Sequence, residues 1–409
     1  MDLQTPNANS IGKQKVDKSV WTLLFVVGTA FMASRYDFQL STLALPQFQQ
    51  TFGYNDQTSI LIGTFAKIGA IPAVLLTFLA DRIGRKPLFL WAIIGFSAAA
   101  LVVATAQSAS MLALGLFLTR LFTMVDELLA VVLLAEAAPP SVRAWMLGLL
   151  SFLGAAGDGS ALIAYGNFAD QPDAWRWLYA AGAVPALLSI FWRVGLPESA
   201  AFEAARTEGQ PNPFTTISAN LKPVLLIAIA YFLFWLPISP AISYPSQYLQ
   251  SAAGWKPAEV ATVSFLAGVI GLAGTFAGGA LADRFGRKPV AIIATLICVI
   301  GLSGVYLSKD GMFIGIALSV GFIAWFAATV AVRALMTELI PTSARATVAG
   351  TSEIGATSGA VVGGGLVALL IPSLGGIGPA ILAILPLVLL ALIAIMFLRE
   401  TKGTGMVGG

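Results

Sequence analysis

The chain contains no histidine and a single cysteine, and only 11% of its 409 residues are charged. Without histidine, any proton that the protein handles near neutral pH must be carried by carboxylates. The single cysteine, Cys298, lies in an apolar run, so it cannot form a disulfide within the chain and is predicted to serve in packing. The residue pattern suggests no metal site. No G-x-x-x-x-G-K loop occurs either, which disfavours an ATP-driven machine and an enzyme.

Long apolar runs dominate what is present. Apolar residues make up 57% of the chain, and the mean hydropathy is +0.85, far above that of a soluble domain. Twelve runs are each long enough to cross a ~30 Å hydrocarbon core as a helix. They lie at residues 20–45, 58–80, 87–107, 111–135, 145–168, 175–195, 221–249, 259–281, 288–307, 312–339, 346–370 and 377–398. The sequence therefore predicts an all-α, multi-pass protein of the lipid bilayer, whose helices are numbered here as spans 1 to 12.

The distribution of basic residues predicts how these spans are oriented. The first nineteen residues are polar and lack the features of a cleaved signal peptide, so we expect the N-terminus to be cytoplasmic. With twelve spans, sixteen of the 23 basic residues then lie on the cytoplasmic side, and only Arg176, Lys256 and Lys309 lie outside. This positive-inside bias predicts that both termini are cytoplasmic, in a cell inner membrane.

One charged stretch occurs twice, as LADRIGRKP at residues 79–87 and LADRFGRKP at residues 281–289. The two stretches lie 202 residues apart, and the same offset relates EAAPPSVRA from Glu136 to ELIPTSARA from Glu338. Two motifs with one offset indicate an internal duplication into two pseudo-symmetric six-helix bundles, as in secondary transporters. The predicted parts are a tail over 1–19, a bundle over 20–195, a linker over 196–220, a second bundle over 221–398 and a tail over 399–409.

The repeated stretches fall in short cytoplasmic loops between the second and third span of each half. Asp81 and Asp283 each end a helix among several cations, where a carboxylate can pair with Arg143 or Arg345 on a neighbouring helix end. Such pairs can form on one side of a transport cycle and break on the other, which favours a conformational latch. The alternative is that the cations only fix the topology, which leaves the repeated aspartate unexplained. The residues assigned to the latch are Asp81, Arg82, Arg85, Glu136, Arg143, Asp283, Arg284, Arg287, Glu338 and Arg345.

The two charged stretches resemble the loop 2–3 signature of the major facilitator superfamily, and the resemblance covers essentially the whole chain. RYDF in span 1, LPESAAF after span 6, RETKG after span 12 and the E-x-x-P-x-x-x-R ends of spans 4 and 10 resemble its metabolite:proton symporters and its aromatic-acid and sugar porters. Glu127 matches the glutamate of the GGE pattern in span 4. The resemblance implies a secondary transporter whose substrate pathway runs between the two bundles.

The chain also departs from the family pattern. Asp126 replaces the second glycine of the GGE pattern, and Thr77 stands where the loop signature usually begins with the glycine that Gly279 retains. The glutamine pair of sugar porters is missing from span 7, and the Gly-Pro signature of proton-driven drug exporters is missing from span 5. These differences weaken the sugar and drug-efflux interpretations.

Ionisable residues inside a bilayer are costly, so they are functional candidates. The nine in this chain are Arg35, Asp37, Lys67, Arg120, Asp126, Glu127, Asp158, Arg333 and Glu353. In span 4, Arg120, Thr123 and Glu127 share one helix face, whereas Asp126 points about 100° away from Glu127. Arg120 and Glu127 form either a proton-coupled site, in which protonation of the carboxylate frees the arginine for an anion, or a static ion pair between helices.

The remaining charges of the first half allow alternatives. By the resemblance of RYDF, Tyr36 and Asp37 face the pathway, while Arg35 pairs with another helix. Lys67 in the outer half of span 2 either steers an anion inward or neutralises Asp37. Asp158, flanked by glycines in span 5, is either a proton carrier or a polar packing contact.

Span 7 contains Pro237, Pro240 and Pro245, so its outer half cannot be a regular helix throughout. A broken helix is a natural gate and exposes backbone polar groups to a cavity, here beside Tyr244 and Gln247.

Charged and aromatic residues elsewhere in the second half are weaker candidates. Arg333 and Glu353 pair either with each other or with loop cations, and Tyr231, Trp235 and Trp325 either contact substrate or pack against neighbours. The proton-coupling assignment comprises Asp37, Asp126, Glu127 and Asp158. The substrate-binding assignment comprises Arg35, Tyr36, Lys67, Arg120, Tyr244, Gln247, Trp325 and Arg333.

Together these observations predict a monomeric secondary transporter that works by alternating access and imports a small organic anion, such as a carboxylate or an aromatic acid, with protons. Four intramembrane cations favour an anion, although five intramembrane carboxylates serve a cationic substrate equally well. Proton-antiport efflux of an amphipathic compound is the alternative within transport, and a membrane sensor that does not move its ligand is the alternative of another class. No cofactor other than the coupling proton and no nucleic acid partner is expected.

Overall fold

The computed structural model describes residues 18–195, 198, 221–339 and 345–402, and all regular structure within them is helical. Spans 1 to 6 are Lys18–Leu43 with Leu45–Phe52, Asp56–Ile68 with Ala70–Ile83, Arg85–Ala104, Ala109–Ala137, Arg143–Phe168 and Ala174–Val194. Spans 7 to 12 are Leu221–Ser243 with Pro245–Ser251, Pro257–Phe285, Arg287–Leu307, Gly311–Glu338, Arg345–Leu374, and Ile377–Ile384 with Leu385–Leu387 and Val388–Phe397. Most of the predicted terminal tails and of the linker lies outside the described residues.

The helices are long and apolar enough to cross a bilayer. Among the described residues, ten stretches qualify by length and composition. Spans 1 and 4 complete the set with helices of 26 and 29 residues, and both carry ionisable residues in their interiors. At 1.5 Å per residue they are about 39 Å and about 43 Å long, which exceeds a ~30 Å hydrocarbon core.

Several spans are interrupted at points that the apolar runs do not reveal. Span 1 continues past its predicted end as Leu45–Phe52, and span 2 is divided at Gly69. Span 7 remains helical through Pro237 and Pro240 and breaks at Tyr244, immediately before Pro245. The predicted break in the outer half of span 7 is therefore confirmed, and it falls at the last of the three prolines.

Side-chain caps start several helices. Asn55, Ser108 and Asp310 precede spans 2, 4 and 10 and accept a hydrogen bond from the backbone N–H three residues further on, at 2.9, 3.2 and 2.7 Å. Each cap satisfies one of the first-turn N–H groups that have no partner within the helix. These caps fix where the chain re-enters the bundle.

Glycines allow neighbouring helices to approach until backbone meets backbone. A Cβ at Gly355, Gly359 or Gly363 of span 11 would overlap a backbone carbonyl of span 7. In the first half, a Cβ at Gly157 of span 5 would likewise overlap the carbonyl of Met32 in span 1. Gly157 and Gly359 are related by the 202-residue offset, so the duplication extends to helix packing. Close approach of this kind holds membrane helices together where no hydrophobic force acts between them.

The two bundles meet along two pairs of helices. Span 2 contacts span 11, and span 5 contacts span 8. Small residues lie at both contacts, since a Cβ at Gly364 would meet Thr64 and a Cβ at Gly166 would meet Ala261. These contacts place spans 1, 2, 4 and 7 around the centre of the molecule.

Candidate functional site

A narrow cavity lies at this centre, where spans 1, 2 and 4 of the first bundle meet span 7 of the second. About 20 Å³ of it accepts the centre of a water molecule, so this conformation has room for very few waters and none for a substrate. Three ionisable residues from three different spans, Asp37, Lys67 and Arg120, line it. The polar lining is completed by Ser41, Thr42, Thr119, Thr123 and Tyr244.

Asp37 and Arg120 lie next to each other in the cavity wall. Asp37 is 4% exposed and has Thr119 and Arg120 as polar neighbours. The Arg120 guanidinium stands 4.5 Å from the ring centroid of Phe38, and its Nη2 lies 3.6 Å from the sulfur of Met124. Its Nη1 is buried without a hydrogen-bond partner. No carboxylate oxygen of the described residues lies within 4.0 Å of this guanidinium, which leaves a donor for a ligand.

Lys67 reaches across the boundary between the bundles. Its ammonium donates to the hydroxyls of Ser239 at 3.0 Å and Ser243 at 2.9 Å, both on span 7. It also stands 5.1 Å from the ring centroid of Tyr244. Lys67 therefore contributes to the same cavity as Asp37 and Arg120, but its hydrogen-bond partners in this conformation belong to the other half of the protein.

A second group of charges lies between spans 1, 4 and 5. Arg35 pairs with Asp158 at 2.8 Å, and both side chains are about one third exposed or less, at 30% and 27%. Glu127 interacts electrostatically with both of them. Oε1 of Glu127 and Oδ1 of Asp158 are buried without a hydrogen-bond partner. These carboxylates therefore have an unused acceptor position, as a carboxyl group that takes up a proton requires.

Asp126 and Tyr36, two of the predicted site residues, both bind to span 6. Asp126 pairs with Arg193 at 2.5 Å, and the two side chains are 0% and 1% exposed. Arg193 also donates to the carbonyl of Phe89 at 2.6 Å. The hydroxyl of Tyr36 donates to the carbonyl of Leu178 at 3.1 Å. Arg193 was expected among the cytoplasmic loop cations, and the structure places it inside the bundle instead because Asp126 neutralises it there.

Charges of the second bundle approach those of the first. Arg333 interacts electrostatically with Tyr231 and Glu353, and the predicted pairing of Arg333 with Glu353 stays a prediction. Glu353 also interacts electrostatically with Arg120 and Glu127. Spans 4, 7, 10 and 11 therefore share one electrostatic environment across the boundary between the halves.

Trp325 lies in a cluster of aromatic side chains in the second bundle. Its ring centroid is 4.7 Å from that of Phe326, 5.9 Å from that of Phe322 and 6.2 Å from that of Trp235. The indole Nε1 of Trp325 is buried without a hydrogen-bond partner. Trp325 is not part of the cavity lining in this conformation.

One end of the molecule carries the repeated stretches 79–87 and 281–289 and is called the motif face; the opposite end is called the far face. Gln247, predicted to bind substrate, belongs to the closure of the far face and not to the cavity. It is 0% exposed and donates to the side chains of Gln49 and, at 3.0 Å, Asp56. It also accepts from the hydroxyl of Ser59 at 3.1 Å. All three partners belong to the first bundle.

A second set of hydrogen bonds closes the far face beside Gln247. The Tyr165 hydroxyl donates to the amide oxygen of Gln47 at 2.6 Å and accepts from the amide nitrogen of Gln250 at 2.7 Å. Gln47 donates to Gln250 at 3.0 Å. The periodicity of the apolar runs gave no signal for this closure, because its amides come from short helices at the ends of spans 1 and 7.

At the motif face, the described ion pairs lie within one bundle each. Arg85 pairs with Glu136 in the first bundle, and Arg287 pairs with Glu338 at 3.2 Å in the second. Asp283 pairs with Arg287 at 2.9 Å, one helical turn away. The two Arg–Glu pairs are related by the 202-residue offset, so both copies of the motif form the same contact.

The other residues assigned to the latch make no described ion pair. Arg143 donates to the carbonyl of Ala138 at 3.4 Å, and the guanidinium of Arg284 stands 5.2 Å from the ring centroid of Phe285. The side chains of Asp81, Arg82 and Arg345 lie outside the described residues. The latch function of these residues stays a prediction.

Two further carboxylates cap the N-termini of helices at the motif face, although the sequence patterns assigned them no function. Glu198 accepts from the first two backbone N–H groups of span 3 at 3.1 and 3.2 Å, and Glu400 accepts from those of span 9 at 3.0 Å each. Both helices start at a glycine with positive φ, Gly84 at 106° and Gly286 at 108°. Glu198 lies in the motif LPESAAF and Glu400 in the motif RETKG, and the two are 202 residues apart. This shared offset is the feature of the sequence that indicated an equivalent function for the two carboxylates.

These hydrogen bonds lower the pKa of Glu400. Partial burial acts to raise its pKa, but the backbone N–H groups of Lys402, Lys288, Arg287 and Thr401 donate to its carboxylate and hold the pKa below its ordinary value. The carboxylate is thus kept charged, as a cap of a helix N-terminus requires.

Comparisons with known proteins agree with this architecture. Residues 27–350 and 227–406 match the sequence profile described as Major Facilitator Superfamily. The "Probable 4-methylmuconolactone transporter" of Cupriavidus pinatubonensis is 27% identical over 96% of this chain and 92% of its own length. The "3-(3-hydroxy-phenyl)propionate transporter" of Escherichia coli is 27% identical over 85% of this chain and 88% of its own length.

Among solved structures, a bacterial homologue of the human lysosomal transporter Spinster, in an inward-facing and unoccupied conformation, is similar with a TM-score of 0.74. The two chains are 15% identical, and the alignment covers 93% of this chain and 98% of the other. At this identity the similarity concerns the fold. The predicted all-α architecture of twelve membrane helices in two bundles is confirmed.

Proposed function

Because the chain belongs to the major facilitator superfamily, we propose that it imports a small organic anion together with protons across a cytoplasmic membrane, with its motif face in the cytoplasm. Membership of this family, and relatives named as transporters, make it a multi-pass secondary transporter of a small molecule. The nature of the substrate and of the coupling ion is the content of the proposal.

The observation that carries the proposal is the charge balance of the central cavity. Among the residues that line the cavity, two cations, Lys67 and Arg120, face one carboxylate, Asp37. An excess of buried cations favours a ligand with negative charge, since a carboxylate accepts charge-assisted hydrogen bonds from both. A propionate, which the name of one relative contains, has such a group.

Protonation of Asp37 is the proposed coupling step. When Asp37 is charged, it offsets part of the positive charge of Arg120, and an anion in the cavity meets a like charge. When Asp37 is protonated, both cations are available to the anion. The anion therefore binds together with a proton, and loss of the proton on the other side expels it. Glu127 and Asp158, whose free acceptor atoms lie between spans 1, 4 and 5, are proposed to pass the proton toward the motif face.

The proposed orientation in the membrane follows from the basic residues. The positive-inside rule puts the motif face in the cytoplasm, so the far face, closed here by hydrogen bonds between the bundles, faces outward. A transport cycle requires this closure to open to the outside and to reform before the anion leaves toward the motif face.

Proteoliposomes that contain a pH-sensitive dye test the proposal. We expect addition of 3-phenylpropionate or a related carboxylate to acidify the lumen, and an inward proton gradient to drive accumulation of the anion. Asp37→Asn should abolish gradient-driven accumulation while leaving exchange of labelled for unlabelled anion measurable. Asp170→Asn, which changes an exposed carboxylate at the far face, is the matched control and should behave like the wild type. Proton movement opposite to that of the compound would refute symport, and accumulation without a proton gradient would refute proton coupling.

A further inference from the structure

Lys67 is a buried ammonium whose partners in this conformation are neutral. Lys67 is 9% exposed, and its ammonium donates to the hydroxyls of Ser239 and Ser243 at 3.0 and 2.9 Å. The face of Tyr244 lies 5.1 Å away. No carboxylate oxygen of the described residues lies within 4.0 Å of it. Arg120, which also lines the cavity, interacts electrostatically with Lys67 and carries a positive charge too.

Two serine hydroxyls are weaker partners for an ammonium than a carboxylate is. A hydrogen bond in which both groups are charged is shorter and about twice as strong as a neutral one. Buried charges are normally paired, because the low dielectric of the interior makes an unpaired one costly. The Lys67 ammonium therefore retains a preference for an anion that this conformation does not satisfy.

The two serines contact Lys67 across the bundle boundary in this conformation, in which the far face is closed. Ser239 and Ser243 are one helical turn apart on span 7, directly before the break at Tyr244. Lys67 lies on span 2 of the other bundle, in the helix that begins beside the far-face hydrogen bonds of Asp56 and Ser59. Opening of the far face separates span 7 from span 2, which removes the serines and leaves the ammonium in an open cavity.

We propose that Lys67 exchanges partners during transport: it captures the carboxylate of the substrate when the far face is open, and Ser239 and Ser243 replace that carboxylate when the far face closes, which releases the anion toward the motif face. This inference rests on the proposed function for the identity of the ligand. The exchange of partners itself is a property of the protein without substrate. Lys67 thereby determines the charge of the substrate that is accepted at the far face.

Distance measurements between spin labels at the far face test the exchange without substrate. With Cys298 replaced by serine, labels at the exposed positions Gln171 and Lys309 report on the separation of the bundles. Ser239→Ala with Ser243→Ala should raise the ratio of open to closed molecules by at least about tenfold, because both hydrogen bonds to the charged ammonium are lost. In a Lys67→Gln background the same two changes should have a much smaller effect.

Ser246→Ala is the matched control, because Ser246 lies on span 7 just beyond the break at Tyr244 and donates across the bundles to the carbonyl of Leu43 at 2.8 Å without a hydrogen bond to Lys67. Its effect on the ratio should be equal with and without the Lys67→Gln change. If the two serine changes shift the ratio equally in both backgrounds, or no more than Ser246→Ala does, the partner exchange is refuted.

The ligand is tested with 3-phenylpropionate against its neutral amide, 3-phenylpropionamide. We expect the anion alone to raise the open population, and Lys67→Gln to abolish this response. A response that survives Lys67→Gln would overturn the capture role of Lys67. Coupling between Lys67 and the serines without any response to the anion would overturn the capture step, whereas intact coupling and capture without proton-linked uptake in proteoliposomes would overturn the proposed function alone.

Discussion

Replacing Asp126 with asparagine removes the charge that balances a buried arginine and should destabilise the first bundle. Asp126 and Arg193 are 2.5 Å apart, and their side chains are 0% and 1% exposed. Arg193 also stands 3.5 Å from the ring centroid of Phe89. With almost no exposed surface, its guanidinium has no water to replace the lost carboxylate. Breaking a buried ion pair by removing one partner costs about 3–5 kcal/mol, so we expect a clear fall in the apparent Tm.

The assay is the fraction of protein that remains monodisperse after heating in detergent, measured by size-exclusion chromatography. Asp126→Asn and Arg193→Met should both lower the apparent Tm. The double variant Asp126→Leu with Arg193→Leu should recover most of the loss, because an apolar pair of similar volume replaces a buried ion pair at little cost. Asp158→Asn is the matched comparison: its pair with Arg35 has a similar distance of 2.8 Å but is 27–30% exposed, so we expect a smaller fall in the apparent Tm than for Asp126→Asn.

The same variants decide whether Asp126 carries protons. If the pair is structural, the double Leu variant keeps proton-coupled transport in proteoliposomes. If Asp126→Asn keeps the wild-type Tm and abolishes coupling, the reasoning from burial is refuted and the proton-coupling prediction for Asp126 is supported.

Two further predictions concern packing and the motif face. Gly359→Ala should destabilise the second bundle by about 1–3 kcal/mol, because its Cβ would overlap the carbonyl of Phe232. A Cβ at Gly365 would meet nothing within 4 Å, so Gly365→Ala should leave the apparent Tm unchanged. An equal apparent Tm for the two variants would contradict the packing argument. Because the pKa of Glu400 is lowered in the folded state, the stability that its charged carboxylate contributes is fully present above pH 4.5, the ordinary pKa, and is lost as the pH falls through the lowered pKa. At pH 6 we therefore expect Glu400→Gln to speed hydrogen exchange of the Arg287 amide relative to the wild type, and the difference to disappear in strong acid; equal exchange at pH 6 would rule out the cap.

The duplicated motifs made much of the architecture predictable. Hydropathy located the spans, because the backbone of a membrane helix must satisfy its own hydrogen bonds over the full thickness of the bilayer. The 202-residue offset then related Glu136 to Glu338, and the structure shows both in equivalent pairs with Arg85 and Arg287. The prolines of span 7 also predicted that its outer half is not a regular helix throughout, but not that the helix continues through Pro237 and Pro240 and breaks only before Pro245.

The partners of the buried charges were much harder to predict. Asp126 and Glu127 are adjacent in sequence, and the pattern assigned both to proton coupling. The structure pairs Asp126 with Arg193, which hydropathy places in the charged end of span 6 and thus among the loop cations. Which helix faces which is a property of tertiary packing, and a period of 3.6 residues does not encode it. The same limit applies to Lys67, whose serine partners lie more than 170 residues away.

The two ends of the molecule are held together by different kinds of contact, and this difference bears on the transport cycle. At the motif face, the described ion pairs join residues of one bundle, so a rigid-body rotation of the bundles leaves Arg85–Glu136 and Arg287–Glu338 intact. At the far face, the closure between the bundles is made mainly by amides and hydroxyls, such as those of Tyr165 and Gln250, together with one carboxylate, that of Asp56, which accepts from Gln247. Neutral hydrogen bonds of this kind contribute only about 0.5–1.5 kcal/mol each, because water offers them replacement partners when the face opens. The described contacts of the far face can therefore open without breaking an ion pair. The charges of Asp37, Lys67 and Arg120 instead line the cavity, where the substrate and the proton can compensate them.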